Sequence, residues 1–472
     1  MTLQLAYVIA MIEQVGFGLL VVALVFVCWD DIKRGLLGLR SPGTFAPVAI
    51  FVGVGVSVTG FMALNWDLLP LAISIGAAAV FGLLSTRFAL CFSVGALLLR
   101  PWEVLPENDF LGVLPRGLAL LLVGTGLLRL RGTRDWRLLV TPEDGAVLGF
   151  AFVSYLSTFV APSLFNSQAD WMLTFSKSLM IFVLIRLFAR RKSDVAALCL
   201  TLGIVGMTLV AITLYRMEAD PRLGQTGARA DLFGLIGDPN DLAATLLLAA
   251  PLLMGELRHW IPLKAVRMAI IAALSVLSIW VIVQTQSRGA FIGVLAAMAA
   301  LLFVALRTPK RLLLALPLIL ALSGGLLFRT IQRSESDLSS SSSSRMAYWV
   351  AGWRMAIRHP LTGVGYGAYP LRFEEYADSD KVEGKLRTAH STWVLALAET
   401  GLLGGALLVL AVIGSFFRVF KRRFDEPAVF VAFVGYFAAA TFLSHTYLLH
   451  PYLLIGIALC ARDERPEELR IL

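Results

Sequence analysis

The chain has 472 residues, 58% of them hydrophobic and only 15% charged, with a mean hydropathy of +0.78. Soluble domains carry roughly 25% charged residues, which excludes a soluble globular protein, and the apolar runs lack the two-residue alternation of a membrane barrel. The formal charge of +9 does not point to nucleic acid, because the Lys and Arg sit in short loops between apolar runs rather than in a basic, aromatic-interleaved domain.

In chain order, apolar runs predict spans near 5–28, 46–65, 68–84, 87–100, 111–128, 142–162, 171–189, 194–215, 239–257, 264–284, 289–306, 312–328, 391–417, 427–444 and 447–461. The expected fold is therefore all-α, a polytopic integral membrane protein of about 12–15 transmembrane helices, the short runs 87–100 and 447–461 reading as re-entrant or half-helices. The first run has no basic n-region, its first charge being Glu13, and reads as a retained helix. Cys28, Cys91, Cys199 and Cys460 lie in or beside apolar runs without motif spacing and read as small core residues.

Basic clusters fix the orientation. Lys33–Arg34, Arg129 to Arg137, Arg190–Lys192, Arg258 to Arg267, Arg307 to Arg311 and Lys421–Arg423 all fall on one side of the span list, which the positive-inside rule makes cytoplasmic. The opposite, outer side carries loops at 101–110, 163–170 and 216–238, and by far the longest at 329–389. This divides the chain into N-terminal spans (1–235), a core (236–328 and 390–461), the long loop (329–389) and a cytoplasmic tail (462–472). Within the long loop, Ser339–Ser344 is a low-complexity tract expected to be flexible. From Arg345 to His359, Arg345, Trp349, Gly352 and Ala356 recur at helical spacing, predicting an amphipathic helix at the membrane–water boundary that Pro360 stops.

Three residues converge once this topology is imposed: Arg288 in a short outer turn, Arg345 opening the loop helix, and His390 where the loop enters the next span. Two guanidiniums near the bilayer surface suit a pyrophosphate, and an imidazole beside them suits proton removal from an incoming hydroxyl. The plain alternatives are interfacial anchors for the arginines and a helix cap for the histidine. Asp238, Asn240 and Asp241 read either as sugar or metal ligands or as a helix N-cap. Trp349 and Glu399 are secondary candidates; Glu399 lies about half a helical turn round from His390, which favours a structural hydrogen bond. Gly401, Gly404 and Gly405 read as a helix-packing surface, and His445 and His450 stay unassigned. No P-loop, zinc spacing, dinucleotide fingerprint or nucleophile elbow occurs in the sequence.

Four ordered segments, GDPNDLAATLLLAAPL (237–252), QSRGAFIG (286–293), the Arg–Trp helix with HPLTGVGYGAY (359–369), and HSTWVLALAETGLLG (390–404), resemble the O-antigen ligase and O-antigen polymerase superfamily of bacterial envelope enzymes. The resemblance covers the C-terminal half, from about 235 to 446. It implies a multi-pass protein of the bacterial inner membrane, moving a glycan from undecaprenyl pyrophosphate to an acceptor hydroxyl at the periplasmic face, without a metal or other cofactor. It further implies that His390 is the base and that Arg288 and Arg345 clamp the pyrophosphate. The partners so implied are the lipid-linked oligosaccharide, an acceptor glycan or lipid A-core, and envelope polysaccharide assembly proteins. Two departures are Ser391, where many members carry Asn, and the Ser339–Ser344 tract. Ligation, polymerisation and transfer to protein hydroxyls all stay open. The alternative class is a transporter or flippase for lipid-linked glycan, which would need charges along a mid-membrane path; apart from Glu13, Lys177 and Glu399 the charges of the spans lie near their ends.

Overall fold

The computed structural model describes residues 3–38, 77, 80–82, 84–99, 141–220, 223, 229–230, 238–306, 335–377 and 388–460. These residues form helices and turns, with no strand among them. The helices are α1 (Leu3–Val27), α2 (Trp29–Gly38), α3 (Thr86–Leu99), α4 (Pro142–Ser157), α5 (Leu164–Phe188), α6 (Lys192–Ala219) and α7 (Pro239–Trp260). They continue with α8 (Lys264–Gln284), α9 (Arg288–Leu306), α10 (Glu335–Arg358), α11 (Tyr369–Tyr376), α12 (Thr392–Lys421), α13 (Pro427–Ala440) and α14 (Leu449–Cys460). Among the described residues, six helices are long and apolar enough to cross a membrane, namely α5 to α9 and α12, and α3, α13 and α14 are shorter apolar helices. The chain is an all-α, multi-pass membrane protein. The spans read at 46–65, 111–128 and 312–328, and most of 68–84, lie outside the described residues.

Helix α7 runs between α6 and α13, α9 lies along α13, α4 and α10 both pack on α12, and α5 packs on α14. Small residues set the closest approaches, as expected where lipid removes the hydrophobic drive between helices. On α9 and α13, Gly293 faces the Gly435 carbonyl so closely that an added Cβ would sit 2.7 Å from it.

The end of the bundle that carries the basic clusters is tied by ion pairs. Arg186 makes a two-pronged pair with the buried Asp144 (2.7 and 2.8 Å) and donates to the Leu459 carbonyl at 2.8 Å. Arg418 pairs with Glu143 through two bonds of 2.9 Å. Arg87 bridges Asp194 (2.6 Å) and Asp31 (3.2 Å), joining α2, α3 and α6. Asp144 also completes a capping box with Thr141 at the start of α4. The opposite ends of the helices, which the orientation argument places outside, carry the candidate site.

Three expectations need correction. The Ser339–Ser344 tract does not form a flexible linker: α10 is continuous from Glu335, because extending a helix already nucleated by 345–358 costs only a few tenths of a kcal/mol per serine. That helix is also more than a surface helix, since Tyr348, Ala351, Met355 and Ala356 are buried and Gly352 abuts Val394 of α12. Its other face leaves Met346, Val350, Trp353 and Ile357 exposed. Finally, the loop read at 163–170 is helical from Leu164, joined to the span through one π turn at Trp171–Phe175. The π turn absorbs an extra residue without ending the helix.

Candidate functional site

The outer end is organised around a break in α12. Gly401 has φ 72° inside the helix, a conformation open to glycine, and the segment after α10 fills the gap it makes. The Leu402 N–H donates to the Pro360 carbonyl (2.8 Å) and the Val364 N–H to the Ala398 carbonyl (2.9 Å). Gly401 is therefore a docking point rather than part of a glycine packing surface; Gly404, by contrast, does face Val153 of α4.

Beside the break, the buried Glu399 accepts a bond from the Tyr369 N–H at 3.0 Å, at the start of α11. The Tyr369 hydroxyl donates to the Tyr348 carbonyl at 2.7 Å. Burial pushes the Tyr369 phenol well above its ordinary pKa, so it stays protonated and able to donate. The Tyr348 ring lies against the His390 imidazole, centroids 5.9 Å apart. Glu399 thus holds the start of α11, whose Tyr369 hydroxyl in turn holds the α10 backbone at Tyr348, beside His390.

His390 precedes α12, whose N-cap is Ser391, accepting from the Val394 N–H. It is not the cap itself, and its backbone is left-handed, with φ 45°. Arg288 opens α9, after the cap residue Ser287, whose hydroxyl accepts from the Ala290 N–H at 3.3 Å. Two residues before Arg288, Gln286 has φ 51°. Among the described residues, Gln286 and His390 are the two non-glycine residues with positive φ. Such a conformation costs about 1–2 kcal/mol and persists only where its surroundings over-determine it.

Arg345 lies one turn before Tyr348 and Trp349 on α10. Trp349 packs on Phe442 (5.9 Å between centroids), and Phe442 also abuts Gly289, the residue after Arg288. The segments of Arg288, Arg345 and His390 therefore share one region, and all three side chains are half-buried there. The helices α7, α9 and α12 all begin at this end, so the positive ends of their dipoles lie on the same side as the arginines.

The aspartates of 238–241 divide their roles. Asp238 caps α7, its Oδ1 accepting from the Asn240 N–H and the Asn240 side-chain amide, both at 2.7 Å. Asn240 accepts from Arg229 Nη2 at 2.8 Å, and Arg229 Nε donates to the Thr285 carbonyl at 2.9 Å. Asp241 Oδ1 meets His445 Nε2 at 2.8 Å, and His445 Nδ1 meets the Tyr436 hydroxyl at 2.9 Å. The His445 N–H donates to Thr392 Oγ1 (3.1 Å), which donates to the Leu443 carbonyl (2.7 Å), while Thr446 Oγ1 donates to the Thr392 carbonyl (2.7 Å). His450 Nε2 meets Thr245 Oγ1 at 2.8 Å, and its ring stacks on that of His445. Sequence reasoning left Arg229, Tyr436, His445 and His450 without a role; two of the five histidines at one short outer turn were the available signal. Among the described residues, no three of His, Cys, Asp and Glu converge to hold a metal ion.

This geometry can be set beside known proteins. Residues 273–409 match the O-antigen ligase family model. The matched segment contains Arg288, Arg345 and His390, and the resemblance to the O-antigen ligase and polymerase superfamily holds over it. A stretch of 94 residues is 30% identical to the exopolysaccharide production protein ExoQ of Rhizobium meliloti (strain 1021). It covers 18% of this chain and 21% of that protein, so the chain matches about a fifth of the length of this curated relative. The O-antigen ligase match ends before His445 and begins after Asp241, so the pair that joins α7 to the 441–448 turn lies outside it.

Proposed function

We propose that this chain is a glycosyltransferase that moves a glycan from undecaprenyl pyrophosphate to an acceptor hydroxyl at the periplasmic face of the bacterial inner membrane. The observation that carries the reading is the gathering of Arg288, Arg345 and His390 within one region, with Gln286 and His390, the two left-handed non-glycine residues among those described, in its segments. Arg288 and Arg345 hold the pyrophosphate through planar, two-pronged bonds and stabilise the charge that builds on it as the sugar leaves. His390 takes the proton of the acceptor hydroxyl as the new glycosidic bond forms, and the anomeric carbon inverts in that single displacement. No metal is assigned a step. The similarity to a protein named for exopolysaccharide production supports polymer growth as the output, and the ligase match supports transfer of a finished chain to lipid A-core or another acceptor.

The test is the lipid-linked glycan of a strain lacking the protein. Transfer predicts carrier-linked glycan on the outer leaflet: single repeats if the protein polymerises, long chains if it ligates. Carrier-linked glycan retained on the cytoplasmic leaflet would instead mean transport and would overturn the reading.

A further inference from the structure

Both left-handed turns of the site are held by the same element, the first turn of α7. Through Arg229, Asn240 is tied to the Thr285 carbonyl, one residue before Gln286, and the neighbouring Ala230 N–H donates to the Gln284 carbonyl at 3.0 Å. Through His445, Asp241 is tied to Thr392, two residues after His390, on both its hydroxyl and, by way of Thr446, its carbonyl. Thr245, one turn further along α7, grips His450 and so fixes the far end of the same connecting turn. The residues Leu242 to Ala249 that follow are buried between α6 and α13, so this first turn stands on a rigid helix.

We propose that Asn240 and Asp241 are positioning residues of the transfer centre: Asn240 acts through Arg229 on the turn that presents Arg288, and Asp241 acts through His445 on the helix start that presents His390. The inference rests on the transfer reading above. His445 itself is 1% exposed with both ring nitrogens engaged, so it acts through its neighbours rather than on a substrate. The physical need is plain. The chemistry requires the pyrophosphate clamp and the base at a fixed separation, and each is presented by a backbone conformation that relaxes away unless restrained. A misplacement of about 1 Å costs on the order of 10²-fold in rate.

The experiment compares purified full-length variants in nanodiscs, with the lipid-linked glycan extracted from the deletion strain as donor. Asp241→Ala is expected to lower kcat about 10- to 100-fold while the donor KM stays within about twofold. Asp241→Asn, whose Oδ1 still accepts from His445 Nε2–H, restores most of kcat. Thr392→Val repeats the loss and Thr392→Ser does not. Wild-type kcat in Asp241→Ala, a KM change in place of a kcat change, or Asn no better than Ala overturns the proposal. Where Asp241→Ala yields no folded protein, the Thr392 pair decides by the same criteria; failure of both alanine and valine variants to fold makes the cluster merely structural and also overturns it. His390→Ala, run alongside, separates the two ideas. If it is fully active the transfer centre itself is misassigned, whereas an inactive His390→Ala with an active Asp241→Ala removes only the positioning role.

Discussion

The Asp241 carboxylate and the His445 imidazole, 204 residues apart in the chain, meet at 2.8 Å and join the start of α7 to the turn that holds the start of α12. A contact of this kind explains how a site assembled from loops can still be rigid. Of the three candidate residues, Arg288 opens α9, His390 immediately precedes the cap of α12 and Arg345 lies within α10, and bonds from Arg229, Tyr369 and His445 hold the backbone beside each of them, at Thr285, Tyr348 and Thr392.

Arg288→Lys is expected to lose about 10²-fold in turnover although the charge is kept, because a point ammonium cannot reproduce the planar fork of a guanidinium. Initial rates on lipid-linked donor check this. Turnover near wild type would remove the two-pronged clamp from the mechanism.

Glu399 separates support from chemistry. Glu399→Gln keeps an oxygen for the Tyr369 N–H and should retain most activity, whereas Glu399→Leu leaves that buried donor unsatisfied, a cost of about 1–3 kcal/mol. Folded yield and turnover should fall together in the leucine variant. An inactive but well-folded glutamine variant would return Glu399 to the reaction.

The Asp144–Arg186 pair predicts a stability asymmetry. Arg186→Met strands a buried carboxylate, which costs about 3–5 kcal/mol, and membrane accumulation should collapse. Asp144→Leu combined with Arg186→Met should recover much of it, since replacing both charges by apolar groups removes the unpaired one. A double variant as depleted as the single one would show that the Arg186 bond to the Leu459 carbonyl matters more than the ion pair.

Activity is expected to survive EDTA. Loss on chelation with recovery in Mg²⁺ would contradict the metal-free step and direct attention to Asp238 and Asp241.

Much of the architecture was legible because it is written in local pattern. Apolar run length gave α7, α8 and α9 to within about three residues at their ends, and the basic clusters gave the end at which Asp144, Arg186, Glu143 and Arg418 pair. The segments that carry Arg288, Arg345 and His390, which the structure brings to one region, were legible one by one. What was not legible depends on tertiary contact: the left-handed φ of Gln286 and His390, the gap at Gly401 that receives Pro360, and the joining of Asp241 to His445 have no signature in spacing. The serine tract misled for a different reason. Composition describes a segment in isolation, whereas α10 extends it from a helix already packed on α12.

The most direct test of the account is transfer of glycan from extracted lipid-linked donor by the purified protein, wild type against His390→Ala, with equal folded protein confirmed by size-exclusion profile. The account predicts that His390→Ala loses about 10²–10⁴-fold in turnover, the contribution expected of a general base, while still binding donor. Wild-type turnover in that variant would contradict it, and His390 would then be a structural residue at the start of α12.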